Sequence, residues 1–139
     1  MKYGSLIIEK KEYVYLKRIL NISGYVEDFE TQKSLQLLIN ELKNAQIVDE
    51  TDMPDDVIRF NSKIRISSEK ACKKNLELVI PSQQDRKKGK ISVLTQLGAA
   101  LFGHSKGDIM EYNFPSGSQK LKITDVKQEK SEKKISIKI

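Results

Sequence analysis

Apolar residues along this chain follow two kinds of pattern, and the change between them falls at Met53-Pro54. Before that step, Tyr13, Leu16 and Leu20 recur at spacings of three and four, the mark of one apolar helix face. Leu35, Leu38, Leu42 and Ala45 repeat the pattern, with Lys33, Asn40, Glu41 and Lys43 at the polar positions around them, and so form a seam for a partner helix. Between the two stretches lies Ser23-Gly24, where Gly24 suits a helix end, and Asp28 or Thr31 suits the start of the next. The pattern predicts a short antiparallel helical hairpin, a small coiled coil, over residues 1–52, with its tip near residues 22–30. Arms of about 13–17 residues would reach only about 20–25 Å at the helical rise of 1.5 Å per residue. Two such helices bury little by themselves, so the hairpin is expected to lean on the remainder of the chain.

After Pro54, which restricts Met53 and lacks a backbone donor, the period changes from helical to alternating. Lys63-Ile64-Arg65-Ile66, Asn75 to Ile80, Lys90 to Leu94, Asp108 to Phe114 and Lys120 to Val126 read as five half-buried strands of an antiparallel sheet. Pro81 closes the second, and Pro115-Ser116-Gly117 closes the fourth. The apolar, small-residue segment Leu97 to Gly103 interrupts them and reads as a short helix capping the open face of the sheet. Beyond Gln128 the chain is rich in Lys and Glu, yet Ile135, Ile137 and Ile139 alternate. That tail is either an edge strand or a frayed terminus. The fold class is therefore α+β, with residues 1–52 as the hairpin and 53–139 as a sheet domain.

Charge sharpens the division. Of the net +6, residues 1–53 carry −2 and residues 54–139 carry +8. A basic half suits phosphate contacts or an acidic protein surface, and equally a merely solvated one. Its densest run, Arg86-Lys87-Lys88-Gly89-Lys90, falls in an expected turn and allows a weak nucleic-acid contact. The longest early aliphatic run, Leu6-Ile7-Ile8, is too short for a signal-peptide core, and no apolar run approaches a membrane span. A soluble cytoplasmic protein, without membrane contact and monomeric, is expected. The single cysteine, Cys72, allows no intrachain disulfide and reads as a structural residue.

Catalytic chemistry finds little support. There is no Cys/His cluster for a metal and no Gly-rich phosphate loop. His104, the one histidine, has no nucleophile at a recognised spacing and reads as a turn residue. With no Trp, and Tyr112 and Phe114 alternating on one strand, an aromatic-lined prolyl isomerase pocket is disfavoured. No cofactor, no metal and no enzymatic activity are expected.

The stretch Gly89-Lys90-Ile91-Ser92, Thr95-Gln96-Leu97-Gly98, Ala99-Ala100-Leu101-Phe102-Gly103 and Gly107-Asp108 resembles the FKBP-like C-terminal domain of the Gre transcript-cleavage factors. Pro115-x-Gly117 and Ile123 also fit. Met53-Pro54-Asp55-Asp56-Val57, leading to Asn61-Ser62, and the short hairpin are similar to the Rnk branch of that bacterial family, known as regulators of nucleoside diphosphate kinase. The resemblance implies a partner, core RNA polymerase, bound at the rim of its secondary channel. It also implies that Thr95, Gln96, Leu97 and Gly98 form the docking turn, although Gre proteins usually carry Ser-Pro where Thr95-Gln96 stands. In Gre factors, acids at the hairpin tip help hold a second magnesium ion that belongs to the polymerase active site, where two metals stabilise the attacking and leaving oxygens. Glu27, Asp28 and Glu30 occupy that place here. They equally fit ordinary chemistry at a helix N-terminus, and the short arms favour that reading. The function expected is a non-catalytic regulator that modulates or competes with Gre-type factors. The alternative is a Gre-like cleavage-stimulating elongation factor that uses the acidic tip.

Overall fold

The computed structural model describes residues 4–22, 29–68, 73–114 and 117–128. Strand β1 (Ile7–Glu9) runs directly into helix α1 (Lys10–Ile22). Helix α2 (Phe29–Leu42) comes next and leads to strand β2 (Gln46–Val48). β1 and β2 pair in parallel, Ile7 opposite Gln46 and Glu9 opposite Val48. This brings the start of α1 and the end of α2 to one base. Leu16, Leu35, Leu38 and Leu42 are all buried.

The sequence pattern differs from the structure at three places here. Ala45 lies beyond the end of α2, between helix and β2, so the seam ends at Leu42. Thr31 lies inside α2 and does not cap it. Leu6-Ile7-Ile8 is not a stray apolar run, since Ile7 and Ile8 belong to β1 and all three side chains are buried. A strand covered on both faces has no alternation to reveal it. Ser23-Gly24, Cys72, Pro115-Ser116 and the alternating isoleucines of the tail lie outside the described residues.

Strands β3 (Lys63–Ser68), β4 (Lys73–Val79), β5 (Lys90–Ser92), β6 (Ile109–Phe114) and β7 (Gly117–Lys127) form one sheet in the order β5-β4-β3-β7-β6. Helix α3 (Gln96–Leu101) lies between β5 and β6 in the chain and packs against α2. The result is a mixed α and β architecture with a mostly antiparallel sheet. One pairing is not antiparallel: β5 runs parallel to β4, with Glu77 opposite Lys90 and Val79 opposite Ser92. Between them the chain crosses back through 3₁₀ turns at Pro81–Gln83 and Arg86–Lys88. A parallel neighbour requires such a return connection rather than a tight hairpin. β5 also stops at Ser92, because Val93 and Leu94 already belong to the turn into α3.

Alternation assigns the two faces of the sheet. Ile64 and Ile66 of β3 are buried, whereas Lys63 and Arg65 are exposed. On β7, Leu121, Ile123 and Val126 are all buried, although the last two stand at an odd spacing, i and i+3. A bulge makes this possible. The pairing steps from Arg65 opposite Asp125 to Ile66 opposite Ile123, leaving Thr124 as the extra residue. Its hydroxyl donates to the Arg65 carbonyl at 3.1 Å. Without that inserted residue, a strict period of two would turn Val126 to solvent.

One apolar cluster joins both parts of the chain. It contains Leu6, Leu16 and Leu38 from the hairpin region, and Ile64, Leu78, Leu121 and Ile123 from the sheet. Phe102, just past α3, is its largest fully buried side chain. The Phe60 ring lies 4.9 Å from that of Phe102, and Tyr15 of α1 meets Phe60 edge-on at 5.7 Å. No described helix is long and apolar enough to cross a membrane. Because Phe102 sits where helix, sheet and Phe60 converge, Phe102→Ala should lower stability by about 3–5 kcal/mol. The loss should appear in urea as a lower transition midpoint with an unchanged slope.

Candidate functional site

The turn formed by Thr95, Gln96, Leu97 and Gly98 is built on Ser92, the last residue of β5. The Ser92 carbonyl accepts from the Thr95 amide at 3.1 Å and from the Thr95 hydroxyl at 2.7 Å. The Thr95 side chain in turn accepts from the Gly98 amide at 3.0 Å and so caps α3. Such a cap supplies a partner for an amide that the helix itself leaves unpaired. Gly98 is required by space, since a Cβ there would lie 2.1 Å from the Ser92 carbonyl oxygen. Gln96 and Leu97 are half-buried, and Leu97 packs against the apolar cluster. Of the docking turn expected from sequence, the backbone of α3's first turn and the half-exposed parts of Thr95, Gln96 and Leu97 are what a partner could touch.

Glu27 and Asp28 lie outside the described residues, and Glu30 is placed only as a backbone position near the start of α2. Near the other end of that helix, Glu41 is close enough to His104 to favour its protonated form. Glu30 lies about 16 Å farther along the helix axis at the standard rise.

Sequence reading missed a polar junction between the hairpin and the sheet. Glu9 ends β1 and its carboxylate accepts from the Glu12 amide at 3.1 Å, capping the first turn of α1. Glu12, also buried, accepts from Nε of Arg59 at 2.8 Å. The other two nitrogens of Arg59 donate to the two oxygens of Glu50, both at 2.7 Å. This fork-to-fork geometry suits a guanidinium and a carboxylate. Behind it, the Arg59 amide donates to Oγ of Ser62 at 2.7 Å, and Ser62 donates to Oε1 of Gln128 at 2.7 Å. Gln128 returns a hydrogen bond to the Val57 carbonyl at 2.6 Å. One arginine thus ties α1, the 3₁₀ turn at Glu50–Asp52 and the 57–62 segment together.

The ends of the Glu12–Arg59 pair respond oppositely to their setting. Burial pushes the Glu12 carboxyl up to about 7, against the pull of Arg59 and with the repulsion of Glu9 and Glu50 added. Burial acts against the charge of Arg59, but its contacts with Glu50 and Glu12 outweigh that and hold it protonated. Arg59 is thus a fixed charge and Glu12 the group that titrates.

His104 is a turn residue, as expected, its amide donating to the Leu101 carbonyl at 3.1 Å. Its Nδ1 lies 3.4 Å from Asp108, whose carboxylate also accepts from the Ser105 amide at 2.9 Å. Burial lowers the His104 pKa, with Glu41 and Asp108 opposing that shift. Among the described residues, no group of three or more His, Cys, Asp and Glu side chains could hold a metal ion.

Helices, capped turn and polar junction together define a mixed α and β fold with three helices and a mostly antiparallel sheet. A family described as "Transcription elongation factor, GreA/GreB, C-term" matches residues 53–128. A protein named transcription elongation factor GreA from Clostridium acetobutylicum is 34% identical over 91% of this chain and 75% of its own length. GreA from Clostridium botulinum (strain Eklund 17B) is 32% identical over 70% of this chain, and the match spans 62% of that relative. The solved structure of a prokaryotic transcription elongation factor GreA/GreB from Nitrosomonas europaea superposes with a TM-score of 0.72 at 28% identity. That match covers 89% of this chain and 98% of the other. The chain belongs to the GreA/GreB family.

Thr95-Gln96 stands where the resemblance to Gre factors leads one to expect Ser-Pro, and the local geometry here needs no proline. Threonine supplies the same capping hydroxyl, and Gln96 fills the first helical position, where proline is merely favoured.

Two substitutions test these geometries. Gly98→Ala should cost at least about 2 kcal/mol, because the carbonyl it meets is backbone and cannot step aside, and the thermal midpoint should fall accordingly. For Glu12, the folded chain holds a proton that the unfolded chain has released between the ordinary value of 4.5 and about 7. Its contribution to stability is therefore complete below 4.5 and is lost as pH rises toward and through about 7. Glu12→Gln keeps an acceptor for Arg59 and removes the titration. From pH 5 to pH 8, wild type should lose stability relative to this variant by on the order of 2–3 kcal/mol, read from urea unfolding at each pH.

Proposed function

We propose that this protein binds core RNA polymerase at the rim of the secondary channel, with the Thr95–Gly98 turn in the contact surface. Residues 53–139 would act as the docking module, of FKBP-like type, and residues 1–52 as the arm directed into the channel. The observation that carries this reading is the family match, which extends through the hairpin in the Clostridium acetobutylicum GreA relative and includes the capped turn in residues 53–128. In this reading the protein is a regulator without chemistry of its own. The arms support that part: α1 has 13 residues and α2 has 14, so each extends only about 20 Å. Occupying the rim without delivering acids to the active site makes the protein a modulator or competitor of Gre-type factors, as its Rnk-like features also suggest.

A second reading has its own support. The relatives are named transcription elongation factors, and Glu27, Asp28 and Glu30 supply acids near the tip. In that case the protein stimulates transcript cleavage, with magnesium belonging to the polymerase.

The test is fluorescence anisotropy of labelled protein against core polymerase from its own source, with an unlabelled Gre factor as competitor. Saturable binding that the Gre factor displaces is expected. Absence of binding at micromolar polymerase and low salt would refute docking. A cleavage assay on stalled complexes then separates the two readings. Wild type should not accelerate cleavage, whereas acceleration abolished by joint replacement of Glu27, Asp28 and Glu30 with alanine would establish the second.

A further inference from the structure

The outer face of the five-stranded sheet takes no part in the core, the docking turn or the hairpin junction. Across β4, β3 and β7 it forms an open hollow of about 360 Å³, lined by Lys63, Arg65, Lys127 and Lys88, with Glu77 and Asp125. The register puts these side chains in rows. Glu77, Lys63 and Lys127 stand opposite one another on successive strands, and Asn75, Arg65 and Asp125 form the next row. Arg65 is steadied by Asn75, its Nε donating to Oδ1 at 3.0 Å, and Asp125 lies 3.8 Å from the ammonium of Lys106. Lys120 and Lys122, both exposed, continue the positive charge along β7.

We propose that this face binds single-stranded nucleic acid through its sugar-phosphate backbone, without regard to sequence. Three considerations select that partner. The surface is positive by four cations to two acids within the hollow, and one of those acids is already engaged by Lys106. Three adjacent strands make a floor about 10 Å wide, suited to one nucleic-acid strand lying along it. An acidic protein would also answer the charge, but stable protein interfaces centre on buried aromatic or aliphatic anchors. The two aliphatic residues of its lining, Ile64 and Leu76, are buried in the core and offer no anchor, and the exposed Ile109 lies on β6, outside it. Among the described residues the hollow has no aromatic ring on which bases could stack, so it follows phosphates rather than reading sequence.

The experiment uses the full chain without polymerase, so its outcome is independent of docking on that enzyme. Binding of a fluorescein-labelled mixed-sequence oligonucleotide of about 12 nucleotides, a length in the site-size range of single-strand binding folds, is followed by anisotropy across a salt series. Lys63→Gln/Lys127→Gln is compared with Lys33→Gln/Lys43→Gln, which removes the same charge from exposed positions in the hairpin region. The sheet variant should bind roughly tenfold or more weakly at low salt. The slope of log affinity against log salt should fall by about 1.4, since each lost phosphate contact on a single strand contributes about 0.7. The hairpin-region variant should stay within about twofold of wild type. Equal weakening by both variants would reduce the effect to net charge and overturn the proposal, as would an absence of binding at low salt. Displacement by polyglutamate as effectively as by unlabelled oligonucleotide at equal charge would assign the face to an acidic protein instead.

Discussion

Arg59 serves two carboxylates at once, and the position of the hairpin depends on that sharing. A buried carboxylate such as Glu12 would be costly beside an apolar cluster if nothing answered it. The guanidinium answers it with one nitrogen and uses the other two on Glu50. The arginine backbone is meanwhile fixed through Ser62 and Gln128, which lie just before β3 and just after β7. A rotation of α1 about its base would break contacts made by a single rigid plane, and no flexible lysine could hold both acids in that geometry. Apolar packing through Leu16, Tyr15 and Phe60 supplies adhesion, whereas the arginine supplies direction.

The capped turn is rigid for a related reason. Its foundation is the carbonyl of Ser92, which receives the Thr95 hydroxyl and amide and is approached so closely by Gly98 that no side chain fits. α3 has only six residues, too few to be stable alone. It is held from three sides: by the cap, by Leu101 and Phe102 in the cluster, and by packing against α2. A surface placed on such a turn varies little in shape, which suits recognition by a large, preformed partner.

Much of this was legible in the residues. Leucine spacing located α1 and α2, alternation found β3, β4, β6 and β7, and the small-residue run between Gly98 and Gly103 marked α3. The features that escaped share a physical cause. β1 and β2 have three residues each, shorter than the period needed to recognise them, and β1 is buried throughout. The parallel direction of β5 is decided by the course of the chain through residues 81–88, which composition does not record. The bulge at Thr124 could have been suspected, because Ile123 and Val126 break the alternation, but an odd spacing at a strand end also suits fraying. Glu12 and Arg59 stand 47 positions apart, and nothing local to either announces the other. Of the candidate site, the Thr95–Gly98 turn was visible as a motif, whereas the acids at positions 27 and 28 fall outside the described residues.

The parallel pairing of β1 with β2 carries a consequence for how the molecule assembles. Ile7 meets Gln46 only after the chain between them has gone out and come back, and Ile7 also takes its amide partner from Gly103, much later in the sequence. Contacts this distant in the chain raise the contact order and demand loop closure before they return any stabilisation. Pairing of β1 with β2 therefore carries a loop-closure cost that local helix formation does not. Once in place, Leu6 lies against Gly103 so closely that a side chain there would meet it at 3.2 Å. Strand β1 therefore bridges β2 and the turn after α3, which stand far apart in the chain.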